Sequence, residues 1–275
     1  MISFPNCKIN LGLNIIRRRN DSFHDLETIF FPIPFTDILE IITAEEENDP
    51  IAIGFSLTGL PVDGDDNLCT KAYNLLKRDF PHLPAIKMHL HKVIPMGAGL
   101  GGGSSDAAFT LQLLNEKFKL HLKTQQLIDY ALQLGSDCPF FIINKPCFAT
   151  GRGEILQQID INLTNYKIMI INPGIHSDTK WAFSKIIPKE PKISILQIIS
   201  QPIETWKDQL LNDFEAPLIT EYPQIKEIKE ALYQKGAVYA SLSGSGSCVF
   251  GIFTKEKNLN YKQGNNYFHK VIEFN

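Results

Sequence analysis

The chain has 275 residues, of which 44% are hydrophobic and 21% charged, the composition of a soluble globular protein with room for two domains of ordinary size. A formal net charge of -3 argues against a nucleic-acid binder, whose footprint is a basic excess, so an anionic ligand has to be met by local arrangement. Cys7, Cys69, Cys138, Cys147 and Cys248 are odd in number, widely spaced and form no C-x-x-C pair, which predicts reduced thiols rather than disulfides or zinc. With no signal-like N-terminus and no apolar run long enough to span a membrane, a cytoplasmic protein is expected.

Residues 7–16 alternate as a strand, with Cys7, Ile9, Leu11, Leu13 and Ile15 on one face and Lys8, Asn10, Gly12 and Asn14 on a polar face. A lone lysine on such a face is ordinarily solvated. A charged turn at 17–22 precedes the apolar segment 23–31, where Phe23 beside His24 could flank a flat ligand ring or simply be core. Residues 37–42 read as a strand, 45–50 as a polar loop and 51–57 as a further strand, and Asp65, Asp66 and Asn67 precede an amphipathic helix at 68–76.

After a strand at 86–93, the stretch 95–108 carries Gly97, Gly99, Gly101, Gly102 and Gly103. Glycine gives up more chain entropy on ordering than any other residue, so this density implies that something approaches the backbone closely. Ser104 is expected to cap a helix whose apolar positions Ala107, Ala108, Leu111, Leu114 and Phe118 recur at helical spacing. Unpaired N–H groups and the dipole of such a helix start make an anion site, which predicts a phosphate cradle. The loop matches no commoner pattern. It lies too far along the chain for a dinucleotide fingerprint, lacks the Lys-Ser/Thr of a Walker A loop, and runs into a helix where a protein-kinase loop runs into a strand.

A helix at 124–134 stops at Gly135, and Asp137 is placed to cap the next element, whose first turn holds Pro139. Residues 147–155 read as strand, glycine turn and strand, and 166–171 as a strand leading to a helix with Trp181 and Phe183. Prolines between 188 and 202 place a domain boundary near 150, giving domains 1–150 and 151–275. A helix at 224–234 follows, and 237–253 reads as two strands around a Gly/Ser loop that a plain hairpin would explain.

Taken together, Lys8-Ile9-Asn10-Leu11, Phe23-His24 with Thr28-Ile29-Phe30, the glycine loop, Gly135-Ser136-Asp137-Cys138-Pro139, Asn212-Asp213-Phe214-Glu215 and Leu242-Ser243-Gly244-Ser245-Gly246 resemble the galactokinase, homoserine kinase, mevalonate kinase and phosphomevalonate kinase (GHMP) family, in the family's order over nearly the whole chain. The resemblance implies an α+β kinase of two domains with ATP in the cleft between them and Mg2+ held mainly through the ATP phosphates. Lys8 and Asp137 match the catalytic pair, and Asn67 and Lys92 match positions near the adenine. Pro95, Met96, Gly97, Ala98, Gly99, Leu100, Gly101, Gly102, Gly103, Ser104 and Ser105 match the loop around the phosphates. Phe23, His24 and Phe30 match the cytosine site of a cytidine-diphosphate alcohol, with Asn10 and Thr179 nearby. Ser22 departs from the pattern, which has glycine there, and strains the turn if a positive φ is needed. Asp106 adds a negative charge near bound phosphate. The implied partner is a small molecule, with no nucleic acid, membrane or protein-bound metal, in a monomer or weak homodimer. Other readings are a homoserine- or mevalonate-type kinase and a non-catalytic ATP sensor, although a sensor would be free to lose Lys8 or Asp137. Phosphoryl transfer independently asks for a carboxylate to orient a hydroxyl and a cation to neutralise charge, and these two residues could supply them.

Overall fold

The computed structural model describes residues 1–44, 53–61, 67–259 and 267–274, so the polar loop expected at 45–50, the start of the strand expected at 51–57, and Asp65 with Asp66 lie outside the described residues. In chain order the strands are β1 (Ile2–Ser3), β2 (Asn6–Arg18), β3 (His24–Thr36), β4 (Ile38–Thr43), β5 (Ile53–Gly59), β6 (Ile86–Lys92), β7 (Cys147–Thr150), β8 (Ile155–Gln158), β9 (Tyr166–Asn172), β10 (Tyr239–Leu242), β11 (Val249–Thr254) and β12 (Phe268–Glu273). The helices are α1 (Leu68–Asp79), α2 (Gly102–Lys117), α3 (Thr124–Leu134), α4 (Cys138–Ile143), α5 (Thr179–Ser184), α6 (Ile195–Ile199), α7 (Glu215–Glu221) and α8 (Pro223–Gln234).

Two compact units emerge, Met1–Cys7 with Phe35–Met96 and Gly101–Lys145, and Lys8–Pro34 with Gly97–Leu100 and Pro146–Asn275. Neither unit is continuous in sequence. The physical reason is pairing: β2 and β3 share a sheet with β7 and β8, which draws Lys8–Pro34 into the second unit.

In the first unit the sheet order is β1-β4-β6-β5, antiparallel except for the β5–β6 pair, whose crossover is α1. Ile86, Met88 and Leu90 of β6 face the core, and the two-residue period carries Lys92 onto that same buried face. Helix α1 buries Cys69, Ala72, Tyr73 and Leu76, and α2 buries Ala107, Ala108, Leu111 and Leu114. The start of α2 differs from expectation. Gly101, left-handed at φ 70°, is its N-cap with no side-chain cap bond, and Ser104 is the third residue inside the helix. No side-chain cap is needed where a ligand is to meet the free amides.

The second unit has two sheets, β2-β3-β7-β8 and β10-β11-β9-β12. Its core joins Leu13 and Ile15 to Met169, Phe214, Leu218, Ile228, Leu232 and Phe253. Strand β2 is buried from Asn6 to Leu13 on both faces, so the polar face expected at Lys8, Asn10 and Gly12 is an interior one. Among the described residues no helix is long and apolar enough to cross a membrane, and the five cysteines are buried and form no disulfide.

Candidate active site

Lys8 is 3% exposed, and its Nζ donates to Asn10 Oδ1 at 2.6 Å. Asn10 Nδ2 in turn donates to Thr28 Oγ1 at 2.9 Å, and Thr28 donates to the Gly12 carbonyl at 2.5 Å. The ammonium also lies 5.0 Å from the ring centroid of Phe30. The lysine that its strand segment alone would leave solvated is therefore a buried cation aimed by a chain of hydrogen bonds, and Asn10 is the residue that aims it. Thr28 has no role in the sequence reading; its register opposite Ala149 in the β3–β7 pair turns its hydroxyl inward. Phe30, expected beside Phe23 and His24, sits six residues along β3 from His24. At the usual strand rise that is about 20 Å away, so Phe30 belongs with Lys8.

The glycine loop is held separately at its two ends. Residues Gly97–Leu100 count with the second unit. There the Lys8 amide donates to the Leu100 carbonyl at 3.0 Å, Cys248 N to Ala98 O at 3.2 Å, and Ser243 Oγ to Gly99 O at 2.8 Å. Gly99 has φ +75°, and a side chain there would overlap the Ser243 carbonyl. Gly97 has φ +63° with His176 Nδ1 3.2 Å from where its Cβ would be. The hairpin expected between β10 and β11 is present, and its Gly/Ser turn also braces the loop. Asn212 Nδ2 donates to the Leu242 and Gly244 carbonyls at 2.9 Å each, Asp213 accepts from Ile15 N at 2.7 Å, and buried Glu215 accepts from Ser241, Leu242 and Lys229. The Asn-Asp-Phe-Glu motif is thus a brace for that turn.

In the first unit, a Cβ on Gly102 would meet Lys92 Nζ at 2.9 Å and Ile94 at 3.0 Å. On Gly103 it would meet only Met96 at 3.4 Å and Leu68 at 3.9 Å. Ser104 lies against the Cys138 thiol, and Ser105 is buried with no hydrogen-bond partner for its Oγ. Pro95 is buried and Met96 exposed. Lys92 bonds Asp37 Oδ2, and Asp106 Oδ2 at 2.7 Å, with its own side chain fully buried. Burial alone would lower its pKa, but Asp106 and Asp37 together outweigh that and hold it raised. The expected adenine neighbour is thus an ammonium committed to two carboxylates. Asn67 is committed too, as the N-cap of α1 accepting from Cys69 N at 2.7 Å.

Asp137 is half-buried at the N-cap of α4 in an αR conformation, without a side-chain cap bond. Pro139 in the helix's first turn fixes the entry, as expected from sequence. Among the described residues no group of three or more His, Cys, Asp or Glu could hold a metal ion.

An aromatic corner forms at the start of β3. Phe23 is 52% exposed, with the Arg152 guanidinium 4.9 Å over its ring. His24 stacks on Phe183 at 4.9 Å and 16°, and Phe183 meets Phe214 edge-on at 4.9 Å. Burial, with the charge of Arg18 adding, lowers the His24 pKa from its ordinary value. Ser22 does adopt a positive φ, 68°. The turn is held by Asp21, which accepts from Phe23 N at 3.1 Å and pairs with Arg19. Thr179, exposed at the first position of α5, is 3.1 Å from Ser245 Oγ. Phe183, unassigned from sequence, shows itself only as the aromatic one helical turn beyond Thr179.

The family described as GHMP kinases N terminal domain matches residues 67–145, and GHMP kinases C terminal matches residues 197–260. The chain belongs to the GHMP kinases, which transfer a phosphoryl group from ATP to a small molecule. It is 49% identical over 261 residues, 94% of each chain, to a 4-diphosphocytidyl-2-C-methyl-D-erythritol kinase of Bacteroides fragilis. It is 50% identical over 262 residues, again 94% of each, to the kinase of the same name from Bacteroides thetaiotaomicron. A crystal structure of 4-(cytidine 5'-diphospho)-2C-methyl-D-erythritol kinase superposes with a TM-score of 0.77 at 29% identity, covering 91% of this chain and 89% of that one. The mevalonate kinase of Methanococcus jannaschii shares the fold, with a TM-score of 0.75 at 16% identity over 100% of this chain and 98% of its own.

The loop glycines should separate into two kinds. Gly99→Ala combines a left-handed φ with a backbone overlap and should cost at least about 2 kcal/mol. Gly103→Ala, inside a helix and with clearance, should leave stability unchanged or raise it by up to about 1 kcal/mol, yet weaken ATP binding roughly tenfold by standing where phosphate approaches the amides. Urea unfolding and ATP calorimetry on both variants test this; unchanged ATP affinity in Gly103→Ala would place the phosphates elsewhere.

Proposed function

We propose that the protein transfers the γ-phosphoryl group of ATP to the 2-hydroxyl of 4-diphosphocytidyl-2-C-methyl-D-erythritol, a step in non-mevalonate isoprenoid precursor synthesis. The observation that carries this reading is the aromatic corner of Phe23, His24 and Phe183, which offers an exposed ring and an imidazole of lowered pKa. The names of relatives at about half identity over nearly full length support it. Below the ordinary histidine range only does the imidazole gain its second proton, so at neutral pH it has one donor and one acceptor nitrogen, the complement of a cytosine edge. Phe23 supplies a stacking face for the same base, with Arg152 on its ring.

In this reading Asp137 orients the attacking hydroxyl and takes its proton, while Lys8, directed by Asn10, meets the charge on the transferred phosphoryl. The loop amides between residues 97 and 105 hold the phosphates of ATP. Mg2+, held mainly by ATP itself, would supply Lewis-acid charge at the phosphates. Buried thiols that form no disulfide suit the reducing cytoplasm, where such a small-molecule enzyme works as a monomer or weak homodimer.

Asp137→Asn should keep ATP affinity and lower kcat by roughly a hundredfold or more, the usual scale for a lost general base. Near-normal turnover in the folded variant would remove Asp137 from that role. Phe23→Ala should lower kcat/KM for the cytidine substrate about ten- to a hundredfold, as lost base stacking does, and His24→Ala should blunt preference for cytidine over uridine forms. Neither should alter KM for ATP. Because the His24 pKa lies below 6.5, KM for the cytidine substrate should stay flat through neutral pH and rise only at more acid pH, with that limb missing in His24→Ala. Wild-type efficiency and base preference in both variants would reduce the reading to a kinase of another small alcohol.

A further inference from the structure

The buried cluster at Lys92 does not balance. One ammonium lies between two carboxylates, and the side chains of Lys92, Asp37 and Asp106 are 0%, 0% and 4% exposed. The groups facing Asp106 are Lys92 from β6, Asp37 from the turn before β4, and the Cys69 thiol from α1, which burial keeps neutral by pushing its pKa up. With both acids ionised the cluster would bury one uncompensated negative charge, an expensive state. The two carboxylates are not equivalent. Asp37 Oδ1 accepts from two backbone amides, Val93 at 2.5 Å and Ile94 at 2.8 Å, whereas Asp106 Oδ1 is buried with no hydrogen-bond partner. The oxygen with room for a proton is therefore on Asp106. Burial, followed by the charge of Asp37, raises the Asp106 pKa to about 7 in spite of Lys92.

The cluster is also built into the glycine loop. Asp37 ties down the two residues that lead from β6 toward the loop, Asp106 sits in the second turn of α2, and Gly102 packs over Lys92 Nζ. We propose that Asp37, Lys92 and Asp106 form a positioning unit for the phosphate loop, and that ATP binding is linked to uptake of one proton from solvent by the Asp106 carboxylate. This inference rests on the reading of the loop as the ATP phosphate site. A polyphosphate at the start of α2 places several negative charges near the one carboxylate of the cluster that lacks a full set of partners. Binding then favours the protonated acid, and by linkage the protonated acid favours binding. Lys92 acts through the loop and touches no nucleotide with its ammonium.

The test is calorimetry of MgATP binding by the full chain in two buffers of different ionisation heat, from about pH 6.5 to about pH 8.5. Wild type should take up a fraction of a proton on binding, and its Kd for MgATP should rise roughly three- to tenfold across that range. Asp106→Asn mimics the neutral acid, so it should bind MgATP about as tightly as wild type does at the acid end, with that uptake and that slope both lost. The titration of ATP itself is common to the two proteins and cancels in the comparison. Equal uptake and equal slope in both, or no uptake in wild type, would overturn the inference while leaving the loop reading intact. No binding of MgATP by wild type at any pH would instead overturn the loop reading and the inference with it. Should Asp106→Asn fail to fold, infrared difference spectra of the wild type decide: a protonated-carboxyl band should grow when MgATP binds, and its absence refutes the proposal.

Discussion

The Ser243 carbonyl fills the space that a side chain at position 99 would need, and much of the second unit follows from that approach. Gly99 must be glycine, and with φ +75° it turns the chain so that Ala98 and Gly99 offer carbonyls to Cys248 N and Ser243 Oγ. The next carbonyl, that of Leu100, then accepts from the Lys8 amide, which pins the backbone of β2 beside the loop. The β10–β11 turn is held from behind by Asn212, and the end of β10 by Glu215 through Ser241 and Leu242. One close approach thereby links the Lys8 strand, the glycine loop and the β10–β11 turn with its Asn212 brace, segments far apart in sequence.

For the proposed reaction, that linkage would serve electrostatics. Stabilising charge that develops on a transferred phosphoryl requires dipoles and cations already in place, because reorganising them during the reaction would cost the energy they supply. Under the proposed reaction Lys8 would meet this requirement through the chain Lys8–Asn10–Thr28–Gly12, whose last acceptor is a backbone carbonyl that cannot rotate away. The long side chain loses its rotamer freedom on folding and not on binding substrate. Phe30 closes the other side of the ammonium at 5.0 Å, lowering its access to water and strengthening its field.

The motifs that mark the family were legible in the sequence because glycine density, a Pro-marked helix start and the order of motifs are local signals. What was hidden depends on parity and on partners distant in sequence. Lys92 lies in step with Ile86, Met88 and Leu90, so the two-residue period of β6 already assigns it to the buried face, yet only Asp37 and Asp106 make that burial tolerable. The alternation of 7–16 taken alone implies a solvated Lys8, which the family resemblance moves to the catalytic pair, whereas β2 is covered on both faces. Phe30 is grouped with Phe23 and His24 by the family resemblance, and an extended strand carries it away from them. Thr28 and Phe183 gave no signal by residue type. Each acquires its place from a fold partner, Asn10 for one and His24 for the other.

Ser22 shows how the same chain tolerates a residue the pattern disfavours. A left-handed serine costs about 1–2 kcal/mol relative to the ordinary regions, yet its φ is 68°. The strain persists because neighbouring contacts over-determine the turn. Arg19 N donates to the Phe23 carbonyl at 2.8 Å, Ser22 N to the Arg19 carbonyl at 3.3 Å, and Asp21 accepts from Phe23 N. Arg17 and Arg19 both reach Asp25, across the turn from Asp21. These ion pairs are exposed and individually weak, but they act together on one four-residue bend. Their effect is to present Phe23 outward at the end of β3 with Arg152 on its ring, and to leave Arg18 as the charge that acts on His24. The aromatic corner is therefore set by backbone geometry and a charged collar, which is why serine can stand where glycine is the simpler choice.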